Sequence, residues 1–320
     1  MDTEKGHEST ARVNVRGPVS PSRGVLRPLG LDEVRLLPGF WGDRQELNAA
    51  VILDHCHGWM SRAGWIGNFG AAVEGRLPAD RHGREFSDSE IYKLMEAFSW
   101  EAGRTGRDHP AIAELTDLIA AAQEGDGYLN TMFGHQGPGR RYRDLEWGHE
   151  LYCYGHMIQA GVARLRMHGD DRFVQVVRRA ADHVSERFAE APEVCGHPEI
   201  EMALVELYRA TGDDRYLEQA RAFVDRRGRP ALADIHLGRA YYQDDMPVRE
   251  ARVFRGHAVR ALYLACGVVD VAVETGDDEL LQTVIAQWER TIAARTYLTG
   301  GMGSRHSGEA FGEDFELPPD

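Results

Sequence analysis

The chain has 320 residues, with 37 Lys and Arg against 51 Asp and Glu, so its formal net charge at pH 7 is −14. This acidic balance argues against non-specific binding to nucleic acid or to an anionic membrane, because both require a basic surface. Hydrophobic residues make up 42% of the chain, which is typical of a soluble globular protein. No apolar run reaches the roughly 18 residues that a membrane span needs, and the first ten residues lack the apolar core of a signal peptide. We therefore predict a cytoplasmic protein.

Cysteine is rare, and its four positions are far apart in the sequence: Cys56, Cys153, Cys195 and Cys266. Such spacing gives neither a disulfide framework nor a paired metal-binding motif. Cys153 and Cys266 fall among apolar residues at helical spacing, so we expect both to be buried packing residues.

The first 40 residues are rich in Pro, Gly and β-branched residues, and residues 11–15 alternate between apolar and polar. Because proline cannot donate a ladder hydrogen bond, this composition favours extended chain or edge strands. We predict that residues 1–40 form a short β-type segment, separate from the helical residues 41–320.

From residue 41 onward, apolar residues recur at spacings of three and four, as in amphipathic helices. Residues 258–273 are apolar over most of the helix circumference, which indicates burial within a large all-α assembly. Ser87 and Glu90 have the spacing of a capping box at a helix start. The predicted helices, nine in all, are 43–62, 88–105, 109–123, 148–168, 171–190, 197–211, 214–227, 256–275 and 278–295.

A weak internal repeat organises these helices. A Gly-Asp-Asp motif occurs at 169–171, 212–214 and 276–278, where the glycine would end one helix and an aspartate would cap the next. Repeated αα-hairpins must bury their apolar faces against one another, as an open solenoid or a closed toroid. Irregular spacing and Gly-rich insertions favour the toroid, although a closed toroid of six hairpins needs twelve helices.

In each of these three hairpins, the first helix begins with Gly-His, at His149, His197 and His257. A single such histidine is commonly a cap or a partner of a backbone carbonyl. Three at equivalent positions would meet at one rim, where neutral imidazoles can bind a hydroxyl-rich ligand. A triple-His metal site is the competing interpretation. His156, seven residues after His149, is expected on the same helix face, behind such a pocket.

The last 23 residues form a Gly-rich segment with a cluster of acidic residues at Glu309, Glu313, Asp314 and Glu316. A carboxyl group in such a loop can serve as a general acid if a cleft or a neighbouring carboxylate raises its pKa. A solvated acidic loop is the alternative. Aromatic residues near the insertions could stack on sugar rings, but each is more simply explained as core: Trp41, Trp65, Tyr128, Phe133, Trp147 and Tyr152.

Taken together, the motifs of this chain resemble glycoside hydrolase family 127, the β-L-arabinofuranosidase family. The matching segments run in order along nearly the whole chain: GFWGDR (39–44), SDSEIYKLMEAF (87–98), GDGYLNTMF (125–133), GHELYCYGHMIQAG (148–161), GHPEIEMALVELYRATGD (196–213), GHAVRALYL (256–264) and LTGGMGSRHSGEAFGEDFELPPD (298–320). The resemblance implies an (α/α)6 catalytic barrel with β-sandwich material attached, to which residues 1–40 would belong.

By this resemblance, Glu309 of the SGEAF motif matches the general acid/base, and His149, His197 and His257 match positions that line the arabinofuranose pocket. The family's retaining reaction uses a cysteine nucleophile and a zinc ion held by three cysteines and a glutamate. None of the four cysteines here matches those positions. We therefore expect a barrel that is incomplete at its C-terminus, with no zinc held by this chain and little activity on its own.

The resemblance predicts an arabinofuranosyl oligosaccharide or glycoconjugate as substrate, and the acidic charge predicts no nucleic-acid or membrane partner. An open barrel edge would expose apolar helix faces and favour self-association, for instance as a homodimer. Two alternatives remain at this point. One is another six-hairpin carbohydrate enzyme, of the unsaturated glucuronyl hydrolase or epimerase type, and the other is a sugar-binding scaffold without catalysis.

Overall fold

A computed structural model describes residues 17, 19, 21–26, 28–233 and 237–318. Within these ranges the regular structure is helical and β-structure is limited to isolated bridges, so the all-α prediction is confirmed. The α-helices are α1 (Phe40–Leu47), α2 (Leu53–Arg62), α3 (Gly67–Val73), α4 (Ser87–Thr105), α5 (Ala111–Ala122), α6 (Glu150–Met167), α7 (Arg172–Phe188), α8 (Ile200–Thr211), α9 (Asp214–Arg226), α10 (Ala258–Thr275) and α11 (Asp278–Ala294).

All nine predicted helices are present. The first is continuous, because a π-helical turn at Asn48–Ile52 joins α1 to α2. Sequence periodicity missed α3, which has only seven residues, two of them glycine. No helix in the described part of the chain is long and apolar enough to cross a bilayer.

The helices form two layers. In the inner layer, α4 packs on α6, α6 on α8 and α8 on α10. In the outer layer, α5 packs on α7 and α7 on α9. Each inner helix is followed by its antiparallel partner, so the inner helices run in the same direction and their N-termini lie at one end of the molecule.

The Gly-Asp-Asp repeat has the predicted function at its turns. The side chains of Asp171, Asp213 and Asp277 accept hydrogen bonds from backbone N–H groups in the first turns of α7, α9 and α11. Gly212 and Gly276 end α8 and α10 in the left-handed conformation that glycine adopts without strain. The αα-hairpin assignment is therefore confirmed.

The predicted capping box at Ser87 is wrong. Ser87 is already inside α4, and its buried hydroxyl has no hydrogen-bond partner. Glu90 pairs with Lys93, 2.8 Å away. The neighbouring Asp88 instead binds the backbone N–H and the hydroxyl of Thr131, so this helix start is fixed by a loop distant in sequence.

The prediction of a β-type segment over residues 1–40 remains a prediction. The alternating residues 11–15 lie outside the described residues, and the described residues between 17 and 39 contain bends and turns. They cross the C-terminal ends of the inner helices, where Arg166 of α6 donates to the carbonyl of Gly17 and Glu274 of α10 accepts from the N–H of Ser22.

Two predictions about α10 need correction. Cys266 is exposed, whereas Cys153 is buried as expected. The helix packs on α8, α9 and α11, but its remaining face opens onto an apolar groove of about 550 Å³. Although apolar residues surround this helix, the described residues do not bury it on every side.

Candidate active site at the N-termini of the inner helices

The three Gly-His motifs meet in a single open cavity of about 820 Å³ at the N-terminal ends of the inner helices. The centroids of the His149 and His197 rings are 5.6 Å apart, and those of His197 and His257 are 6.0 Å apart. The cavity is lined by Arg84, Glu85, Phe86, Glu90, Lys93, Trp147, His149, Tyr152, His197, Leu237, Tyr241, His257, Val259, Arg260, His306, Gly308 and Glu309.

Each histidine is held by a backbone group close to it in sequence. The Nδ1 atom of His149 contacts the carbonyl oxygen of Trp147, and Nδ1 of His197 lies 2.9 Å from the carbonyl oxygen of Pro198. A carbonyl only accepts, so Nδ1 carries the proton in both rings and Nε2 is left as an acceptor.

His257 has the opposite tautomer. As the N-cap of α10, its Nδ1 accepts a hydrogen bond from the backbone N–H of Arg260. Its Nε2 therefore carries the proton and donates to Oε2 of Glu309, 3.1 Å away. The rim thus presents two acceptor nitrogens and one donor nitrogen, and the donor is already bound to a carboxylate.

The environment disfavours protonation of all three rings. Burial, followed by the nearby Arg260 guanidinium, lowers the pKa of His149 to about 4 and that of His197 well below its ordinary value. The pKa of His257 is also lowered, first by burial and then by Arg260, although Glu309 opposes this. Near neutral pH the rim therefore consists of uncharged imidazoles.

Of the described acidic residues in the C-terminal segment, which are Glu309, Glu313, Asp314 and Glu316, only Glu309 lines the cavity. Asp314 bonds Arg290 and Arg295, and Glu316 bonds Arg305. Hydrogen bonding to Arg305 lowers the pKa of Glu316 to about 2, so this carboxylate stays ionised. Glu309 itself has a left-handed backbone (φ 48°), and its side chain is 80% exposed.

The aromatic candidates divide between the core and the cavity. Tyr128 and Phe133 are buried and Trp65 packs against the core. Trp41 lies on the surface, 71% exposed. Trp147 and Tyr152 line the cavity, and the Tyr152 ring lies 4.4 Å from that of His197.

His156 lies behind the cavity, as its spacing predicts. It is buried, its ring contacts that of Tyr152 edge-on, and its Nδ1 lies 3.8 Å from the fully buried carboxylate of Glu199. Burial lowers the pKa of His156 to about 3 and raises that of Glu199 well above its ordinary value.

Sequence reasoning missed several lining residues, among them Tyr241 and Arg260. Tyr241 lies in a 3-10 turn (Arg239–Tyr242) with no periodic signal. Arg260 did offer a signal, because a cation in the first turn of a helix opposes the helix dipole and so suggests a specific role.

The described residues do not fit a zinc site. No group of three or more His, Cys, Asp or Glu side chains among them is placed to hold a metal ion. The four cysteines are all outside the cavity. Burial raises the pKa of Cys153, and it raises that of Cys195 to about 12, so neither thiol is a ready thiolate ligand or nucleophile.

Comparison with known proteins identifies the family of the chain. The catalytic-domain model of the GH127 β-L-arabinofuranosidases matches residues 33–320. A non-reducing end β-L-arabinofuranosidase of Bifidobacterium longum subsp. longum is 35% identical over an alignment of 320 residues, which covers 89% of this chain and 48% of that protein.

Solved structures give the same result. A GH127 β-L-arabinofuranosidase from Geobacillus stearothermophilus T6 matches with a TM-score of 0.82 and 33% identity, over 90% of this chain and 49% of the other. A second GH127 β-arabinofuranosidase matches with a TM-score of 0.81 and 31% identity, over 94% of this chain and 48% of the other. The chain thus spans about half the length of these relatives. The helical-barrel prediction is confirmed, and the chain belongs to glycoside hydrolase family 127.

Proposed function

We propose that this chain supplies the sugar pocket and the general acid/base of a retaining hydrolase that releases terminal L-arabinofuranose from β-L-arabinofuranosides. The observation that carries the proposal is the convergence of His149, His197 and His257 with Glu309 in one cavity. Uncharged imidazoles with free acceptor atoms suit sugar hydroxyls, which donate hydrogen bonds. Of the described carboxylates in the C-terminal segment, Glu309 alone lines this cavity, so it is the one we assign to proton transfer.

In this proposal Glu309 protonates the leaving oxygen and later accepts a proton from the attacking water. Its bond to Nε2 of His257 holds the carboxylate at the edge of the cavity. Because the side chain is 80% exposed, exclusion of water from Glu309 is left to the bound substrate.

The covalent step of a retaining reaction needs a nucleophile, which the family resemblance assigns to a cysteine. None of the four cysteines lines the cavity. Zinc is likewise expected in the full-length family member and is assigned to no residue here. We therefore infer that the 320 residues alone bind the sugar without turning it over, which is the second candidate function. Cytoplasmic location and a homodimeric state remain predictions from the sequence.

Titration calorimetry with methyl β-L-arabinofuranoside tests the proposed pocket. We expect saturable binding that is lost in His197→Ala and retained in His168→Ala, a control at the exposed end of α6. Weaker binding of the α-anomer would support the assigned stereochemistry. Equal binding by the wild type and His197→Ala would exclude the histidine rim as the sugar site.

An aryl β-L-arabinofuranoside tests the second inference. No release of the aryl alcohol is expected from the isolated chain. Turnover by the isolated chain would require a nucleophile among its own residues and would refute the inference of binding without turnover.

A further inference from the structure

Arg260 is an unusual residue for the floor of a sugar pocket. It lies in the first turn of α10 and is 3% exposed, although it lines the cavity. No Asp or Glu of the described residues forms an ion pair with it, and burial lowers the pKa of its guanidinium. A buried cation without a counter-ion is costly, so its presence requires an explanation.

Two kinds of contact hold the guanidinium in place. Nη1 donates to the carbonyl oxygen of Gly196, 2.6 Å away, which ties α10 to the turn that carries His197. The guanidinium carbon also lies 5.1 to 5.8 Å from the ring centroids of Tyr242, Tyr241 and Trp147. Aromatic faces attract a cation without neutralising its charge, so the positive field persists in the cavity.

We propose that Arg260 is a positioning residue that reinforces the hydrogen-bond polarity of the pocket: it anchors the His197 turn, and its uncompensated charge adds to burial in disfavouring protonation of His149 and His197. An imidazolium donates from both nitrogens and accepts from neither. Protonation of these rings would therefore turn the two acceptor atoms into donors, which cannot accept a bond from a sugar hydroxyl. The benefit of neutral histidines for sugar binding rests on the proposed function, whereas the effect of the Arg260 charge on the histidine pKa values does not.

Besides Arg260, the charged residues that line the cavity with the histidines are Arg84, Glu85, Glu90, Lys93 and Glu309. Glu85, which precedes α4, lies 3.8 Å from Nδ1 of His149, and Glu309 bonds His257. Both carboxylates favour protonation, whereas Arg260 opposes it at all three rings. His197 has no such carboxylate contact among the described residues. Removal of the Arg260 charge should therefore raise the pKa values of both His149 and His197.

The test is a titration of the imidazole nitrogens by long-range 1H–15N NMR on the 320-residue chain without any sugar. In Arg260→Met, which keeps much of the side-chain volume, the pKa values of His149 and His197 should rise by about half a unit or more. Arg260→Lys retains the charge, so both values should stay close to those of the wild type. Unchanged titration in Arg260→Met would overturn the proposal.

Arg226→Met is the matched control. Arg226 also donates to backbone carbonyls, those of Phe188 and Ala189, but on the outer helix α9. The Arg226→Met variant should leave the pKa values of His149 and His197 unchanged. If Arg260→Met does not fold, Arg260→Lys still tests the proposal, because a large rise in the histidine pKa values of this variant would contradict the role of the charge. Failure of sugar to bind the wild type would refute the proposed function and leave the titration result standing.

Discussion

The inner helices border two cavities of opposite character. At their N-termini, polar side chains from α4, α6 and α10 and from the loops that precede α6, α8 and α10 enclose the proposed sugar pocket of about 820 Å³. Along the face of α10 and α11, Leu262, Cys266, Val269 and Trp288 line an apolar groove of about 550 Å³. The inner helices therefore place polar, chemically active side chains at their N-termini, and α10 also carries an apolar surface that the described residues leave uncovered.

The difference follows from how each region is held. Pocket residues are fixed by specific hydrogen bonds to nearby backbone groups, as in the case of His257 at the N-cap of α10. In the groove, the apolar side chains of Leu262 and Val269 cannot form hydrogen bonds, and Trp288 is 46% exposed. Substitutions in the pocket should therefore change function or folding sharply, while substitutions in the groove should change association.

The largest expected effect is on catalysis. In a polypeptide that also carries the nucleophile, Glu309→Gln should reduce turnover of substrates with poor leaving groups by about 10²- to 10⁴-fold, because it removes the proton donor. Steady-state kinetics on an alkyl arabinofuranoside measure this effect.

Glu313→Gln is the control for that prediction. Glu313 is equally exposed and lies in the same segment, 3.6 Å from Arg295, but it does not line the sugar pocket. Its activity should remain near that of the wild type. Equal losses in the two variants would remove Glu309 from the acid role.

The next effect is on stability behind the pocket. In α6, a Cβ at Gly155 would lie 1.3 Å from Oε2 of the buried Glu199, so Gly155→Ala should cost about 3 kcal/mol or more in free energy of unfolding. Cys266→Leu in the groove should change the free energy of unfolding by less than about 0.5 kcal/mol. Urea unfolding of both variants tests whether the two regions differ in packing, and a well-tolerated Gly155→Ala would contradict that difference.

A pH effect should also separate the pocket end from the groove. Burial raises the pKa of Glu150, next to His149, to about 7, although hydrogen bonds from Tyr128 and Tyr142 oppose the rise. The folded state then favours the protonated acid. This stabilisation is fully present below an unfolded pKa near 4.5 and is lost as the pH rises through 7.

Glu150→Gln should therefore flatten this part of the pH dependence. Between pH 5 and pH 8, the melting temperature of the wild type should fall further than that of the variant. A parallel pair of curves would show that Glu150 does not contribute to the dependence.

The smallest expected effect is on association through the groove. Trp288→Gln should reduce self-association of the isolated chain without changing sugar binding, because it removes exposed apolar area far from the histidines. Sedimentation velocity at several concentrations measures the change. A wild type that stays monomeric at all of them would contradict the predicted self-association.

Much of the fold was accessible from local sequence signals. Helical periodicity gave all nine long segments, and the Gly-Asp-Asp motif correctly placed the caps at Asp171, Asp213 and Asp277. These features depend on residues a few positions apart. The capping box at Ser87 was wrong because a loop 43 residues away binds the adjacent Asp88.

The sequence by itself determined the helical hairpins and the convergence of His149, His197 and His257, because equivalent starts of parallel helices must meet at one end. Only the tertiary structure decided that Glu309 lines the cavity while Asp314 and Glu316 pair with arginines. It also decided that Cys266 is exposed and that Arg260 is buried without a carboxylate partner in the described part of the chain. The physical reason is that helix formation depends on neighbours in sequence, whereas burial and charge pairing depend on distances between separate elements.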